Sequence, residues 1–210
     1  MTGAVILRPM LRNTDNSWGS LARGFHWAVV AIVVIQVPLG FWMVDVYAEF
    51  KKTFADDTLL MQTSNAHHTL GLTVLLIACF RLAWRFTNRR PELPSSLQTY
   101  QRNLARFTHF FLYALMFVYP LTGWAALSAY EGEFPIFFLG YDSMPRIVPQ
   151  VIEGEAFFDY PFFAVIHRNL WRVGGVILAL HVIGALWHQY VARDGVLQRM
   201  LRSSGKETQL

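Results

Sequence analysis

The sequence predicts an all-α membrane protein, a bundle of four transmembrane helices, and three observations predict it. The first is composition: 54% of the 210 residues are hydrophobic, only 15% are charged, and mean hydropathy is +0.31. Soluble domains carry about 25% charged residues, and a chain this short cannot keep so much apolar surface away from water. The second is a set of four long stretches without Asp, Glu, Lys or Arg. The third is the alternation of positive charge between the connections that separate them.

The charge-free stretches are 24–44, 58–80, 107–130 and 173–192, of 21, 23, 24 and 20 residues. Each supplies the roughly 20 apolar residues needed to cross a hydrocarbon core about 30 Å thick. Spanning segments must be helical, because lipid offers no partner to a free backbone group. Residues 1–20 are polar and lack the apolar core of a cleavable signal peptide, so the first span is expected to stay in the protein.

From the N-terminus onward, the five flanking segments hold 3, 2, 6, 3 and 4 Lys plus Arg. The positive-inside rule then puts both termini and the Arg-rich connection 81–106 in the cytoplasm, an N-in/C-in arrangement. The reading divides the chain into a cytoplasmic extension 1–20, a membrane domain 21–202 with a long external loop 131–166, and a cytoplasmic tail 203–210. That loop begins a stretch, 131–172, with six acids against three Arg. Its aromatic clusters at 134–138 and 157–163 suit the membrane interface. Residues 91–96 read as a turn, and 205–210 as a frayed end.

Other classes are excluded by the same figures. A net charge of +4 is a poor basis for nucleic-acid binding. The single cysteine, Cys79, rules out an internal disulfide, a four-thiolate iron–sulfur cluster and a C-x-x-C-H haem attachment.

Seven histidines, at 26, 67, 68, 109, 167, 181 and 188, all lie inside or near the ends of spans. An ionisable group in a bilayer is costly and points to function. The predicted topology groups them by depth. His26, His109 and His181 fall toward the cytoplasmic side, and His67, His68 and His167 toward the external side. His167 and His181 are 14 residues apart, a rise of about 21 Å, and fourteen steps of about 100° bring both to one helix face. His26 then lies at the depth of His181, and His67 or His68 at the depth of His167. Two imidazole pairs at two depths are what two stacked b-type haems require. Gly40 and Gly123, each 14 residues beyond a histidine, leave space on their helices at the level of the other macrocycle. Arg81 and Arg85 are placed to pair haem propionates, or to snorkel to the interface.

A zinc site would gather Cys, Asp or Glu at one depth. A proton relay or transporter would bury carboxylates or break its helices. The spans hold no acid; only Pro38 and Pro120 interrupt them.

The motifs Phe25-His26-Trp27, His67-His68-Thr69-Leu70-Gly71 with Arg81 and Arg85, His109 through Tyr113 to Pro120 and Gly123-Trp124, Ile166-His167-Arg168, and Leu180-His181 through His188 to Arg193-Asp194-Gly195 resemble the prokaryotic cytochrome b561 family across roughly 20–202. The resemblance implies that His26 and His181 ligate a cytoplasmic haem iron, and that His67 and His167 ligate an external one. The family's His-x-x-x-Gly pattern selects His67 over His68. His109 and His188 match non-ligand positions and are expected to touch a propionate or line a quinone site.

The resemblance further implies a bacterial inner-membrane electron-transfer oxidoreductase with two haem b. It would oxidise superoxide or another external donor and reduce ubiquinone. The alternative is a cytochrome b subunit linking a periplasmic hydrogenase or dehydrogenase to the quinone pool. Expected partners are membrane lipid, quinone, and either a second copy or a larger respiratory complex.

Overall fold

The computed structural model describes residues 11–54, 56–94 and 97–202. Four long helices account for most of them: α1 (Ser20–Thr53), α2 (Thr58–Thr87), α3 (Thr99–Ala129) and α4 (Tyr160–Trp187), followed by a π-helical turn (His188–Ala192) and a short α5 (Val196–Leu201). Each long helix is apolar enough to cross a membrane. The described residues contain no strand. The expected frayed end 205–210 lies outside the described residues, as do residues 1–10.

Three helices match the expected spans and extend beyond them, α1 at both ends, α2 at its C-terminal end and α3 at its N-terminal end, since polar residues flank the apolar stretch without breaking the helix. The fourth differs. α4 begins at Tyr160, not at 173, so the loop contracts to 130–159. The charge-free criterion stopped at Arg172 and Arg168, although a long cationic side chain near a span end can reach the interface. The helix start is set by Asp159, whose carboxylate accepts the N–H of Phe162 at 3.0 Å, with Pro161 in the first turn. Such a cap satisfies donors that a helix end otherwise leaves bare.

Close backbone packing joins consecutive helices, α1 with α2, α2 with α3 and α3 with α4. Small residues permit it where Ala125, Ala126, Ser128 and Ala129 of α3 are buried. The outer faces stay apolar and exposed, as at Val34, Ile35, Val176 and Ile183, which suits lipid.

Two caps close the ends. At the His26 end, the N-terminal segment folds onto the 88–94 turn: Asn13 donates to Arg89 O at 2.8 Å and Glu92 N to Asp15 O at 2.8 Å. α5 joins it through Arg199 Nη1, which donates to Glu92 O at 2.9 Å, and meets α1 where Trp27 Nε1 donates to Met200 O at 2.9 Å. At the other end lie the 134–138 aromatics, for which the sequence suggested the membrane interface. They turn back onto α2, with Ile136 buried.

Candidate functional site: paired histidines at two depths

α4 carries His167 and His181 about 21 Å apart along its axis, and each faces an imidazole from a non-consecutive helix. His67 of α2 meets His167 with ring centroids 6.2 Å apart and planes at 82°. His26 of α1 meets His181 at 6.2 Å and 74°.

At the His67–His167 level, His167 Nδ1 lies 3.0 Å from Tyr119 O and 3.2 Å from Thr122 Oγ1. A carbonyl only accepts, so Nδ1 donates and the Nε2 lone pair is left free. Tyr119 also sets its ring edge against the imidazole at 4.5 Å. Two glycines make room: a Cβ on Gly123 would sit 2.9 Å from His167 Cε1, and one on Gly40 would sit 3.1 Å from His67 Cε1. Gln36 Nε2 donates to His67 O at 2.9 Å. His68 turns the other way and accepts the N–H of Phe137 at 3.4 Å.

At the other level a third imidazole is present. His109 lies 5.3 Å from His181, with its Nδ1 donating to Ala105 O at 2.6 Å. Arg81 Nε donates to Tyr113 OH at 3.0 Å, and its Nη2 lies 3.5 Å from His26 Nδ1. Arg85 places its guanidinium 4.9 Å from the centroid of the Tyr113 ring. The structure therefore gathers Arg81, Arg85 and His109 around the His26–His181 pair. His188 is instead bonded to Asp194, Nδ1 to Oδ2 at 2.6 Å, at the widened end of α4.

Sequence reasoning missed Tyr113, Tyr119, Thr122, Gln36 and Asp194 as supporting residues. Tyr113 had a signal, standing one helical turn after His109 on the same face. Asp194 stood in the Arg193-Asp194-Gly195 motif, but its bond to His188 gave no spacing signal, because the chain leaves the helix between them.

The sequence matches the family described as prokaryotic cytochrome b561 over residues 17–203. The chain belongs to that family. It is 27% identical to cytochrome b561 homolog 2 of Escherichia coli (strain K12) over 196 residues, 93% of this chain and 96% of the relative. It is likewise 27% identical to cytochrome b561 homolog 1 of the same organism, over 84% of this chain and 92% of the relative. A third relative, probable superoxide oxidase CybB of Yersinia pestis, is 24% identical over 88% of this chain and 95% of its own length. Four apolar helices and this membership make the chain a multi-pass bacterial inner-membrane protein of electron transfer.

A cytochrome b561 implies b-type haem, and the residues fit one. Imidazoles on opposite sides of one metal ion, each about 2 Å from it, hold their centroids roughly 6 Å apart, which both pairs satisfy. Among the described residues no cluster of three or more His, Cys, Asp or Glu could hold a bare metal ion. A haem iron asks the protein for axial ligands only. Arg23 Nη1 and Trp84 Nε1, on the helix ends that carry His26 and Arg81, are buried without a partner. Unpartnered buried donors suit an anionic group such as a propionate.

Proposed function

We propose that the chain carries electrons between a donor at the His67–His167 end and ubiquinone at the His26–His181 end, with one b haem held by each pair. The observation that carries this reading is the recurrence of one geometry, two imidazoles at 6.2 Å, at two levels of α4. Topology follows the charge pattern, with 1–20 and 203–210 cytoplasmic and 21–202 the membrane domain, so the His67–His167 pair faces outward.

When bound, the haems supply one-electron redox chemistry. The chain's own residues do the rest. Tyr119 and Thr122 hold His167 in the tautomer that presents Nε2. Gly40 and Gly123 leave the space beside the rings. Arg81 and Arg85, fixed on Tyr113, offer guanidinium groups to propionates. His109, beside His181, and His188 with its partner Asp194 are protonatable groups at the proposed quinone end.

The donor named by one relative, superoxide, is a small anion. Arg168, exposed beside His167, would draw it from the α4 side. Asp45, Glu49 and Asp56 line the cavity of about 450 Å³ between α1 and α2, and they disfavour an anion there. Two superoxide ions each lose one electron and leave as dioxygen; two electrons and two protons convert one ubiquinone to ubiquinol.

The test is direct. Purified protein is assayed for haem by pyridine haemochrome and then given enzymatically generated superoxide with ubiquinone. Two haems per chain and superoxide-dependent ubiquinol formation are expected. One haem or none would overturn the paired assignment. Two haems without superoxide oxidation would move the donor to a protein partner.

A further inference from the structure

We infer that segment 134–146 is a fixed strap over the α2–α3 flank of the His67–His167 pair, restricting that pair to small electron donors, with His68 and Phe137 as the specificity-determining contact. The inference rests on the proposed role of the pair as the point where electrons enter.

The strap is fastened at both feet. On α2, Phe137 N donates to His68 Nδ1 at 3.4 Å, and the Phe137 ring stacks on the imidazole at 5.9 Å and 27°. Phe134 meets the same imidazole edge-on at 6.3 Å. One residue on along α2, Leu139 N donates to Thr69 Oγ1 at 3.1 Å, while the Thr69 hydroxyl donates to Asn65 Oδ1 at 3.2 Å. On α3, Arg146 Nη1 donates to the carbonyls of Leu127 and Ser128, both at 2.8 Å, and Trp124 Nε1 donates to Pro145 O at 2.9 Å.

Its tip is strained, and docking maintains the strain. Phe138 and Tyr141 exchange backbone hydrogen bonds around Leu139 and Gly140, whose φ values are 51° and 83°. Such a turn favours glycine or asparagine, and a branched apolar residue in this conformation persists only where its surroundings hold it. Here the Leu139 N–H is held by Thr69.

The position of the strap gives it consequence. Phe137, His68, His67 and His167 form a continuous row of rings with successive centroid distances of 5.9, 6.4 and 6.2 Å. The strap thus lies one imidazole away from the pair. A macromolecular donor approaching this flank meets a hairpin and two aromatic rings. A donor of a few atoms needs only the α4 side, where Arg168 is exposed.

The experiment uses His181→Ala protein that haem assay shows to hold one haem (or the His109→Ala/His181→Ala protein where His109 takes the place of His181), expected to keep only the haem of the His67–His167 level, with the strap intact, released by Phe134→Gly/Phe137→Gly, or loosened by Thr69→Val. The dithionite-reduced protein is oxidised by ferricyanide, a small oxidant, or by cytochrome c, a protein-sized one. Releasing the strap is expected to raise the cytochrome c rate about tenfold and the ferricyanide rate less than about twofold. Equal acceleration of both oxidants, or of neither, would overturn the inference. Carbethoxylation of His68, followed by mass spectrometry, gives a readout independent of haem: protected with the strap intact and reactive when it is released. Equal reactivity in both proteins also overturns the strap. Absence of haem from the His181→Ala protein, with His68 protection unchanged, would instead strike the reading on which the inference rests.

Discussion

Gly123 and His167 face each other so closely that any side chain at 123 must collide with the imidazole, its Cβ falling 2.9 Å from His167 Cε1. Real Cβ contacts do not come so near, and the ring cannot retreat freely because Tyr119 O and Thr122 Oγ1 hold its Nδ1. Gly123→Ala is therefore expected to tilt His167 and to lower haem occupancy or shift the reduction potential at that level alone. Gly40→Ala, with its Cβ 3.1 Å from His67 Cε1, is expected to do the same more weakly. A redox titration resolving the two haems checks both, and an effect confined to the other haem would contradict the geometry.

His181→Ala is expected to remove the haem of the His26–His181 level and spare the other, halving the pyridine haemochrome value. His109, 5.3 Å from His181, is the neighbour that could substitute, so the double variant His109→Ala/His181→Ala is the stricter form. Retention of both haems in the double variant would show that the pairing across α1 and α4 is not the one the iron uses.

Much of this was legible from residue spacing. The 14-residue interval between His167 and His181 puts both rings on one face, so helix geometry gives their separation and the charge-derived topology gives the depth of each pair. The four spans were equally legible, because crossing lipid demands uninterrupted apolar length. The start of α4 was not: Arg168 and Arg172 break the apolar run while leaving the helix intact. The sequence also left the loop aromatics and His68 ambiguous, since an aromatic cluster reads alike whether it meets lipid or folds onto an imidazole. The contacts of Tyr119 O and Gln36 depend on backbone atoms and interhelical register, which no single-chain pattern encodes.

The start of α4 can be tested through Asp159. Its carboxylate accepts from Phe162 N at 3.0 Å and from Gly154 N at 3.1 Å, tying the loop to the helix that carries His167. Asp159→Ala is expected to cost about 1 kcal/mol, the usual value of an N-cap. Thermal unfolding in detergent should show a lowered Tm, and Asp159→Asn, which keeps an accepting oxygen, should recover most of it. A Tm unchanged by Asp159→Ala would mean that Pro161 and the lipid interface suffice to start the helix.

Asp194 offers the corresponding test at the other end. One oxygen binds His188 Nδ1 at 2.6 Å and the other accepts Val196 N at 3.1 Å, so a single carboxylate joins the π-helical end of α4 to α5. The pair is largely shielded from water, its side chains 18% and 7% exposed, so removing one member leaves a polar group without its partner. Asp194→Ala is expected to cost about 2 kcal/mol. It should also loosen α5, which would then be held by Trp27 Nε1 to Met200 O, Arg199 Nη1 to Glu92 O and Gln198 Nε2 to Gln189 Oε1. Limited proteolysis should cut after Arg193 or Arg199 faster than in the parent protein, while the His67–His167 haem spectrum stays unchanged. Equal proteolysis of the two proteins would show that α5 is secured from the α1 side, and that the His188–Asp194 bond is free to serve proton transfer without a structural cost.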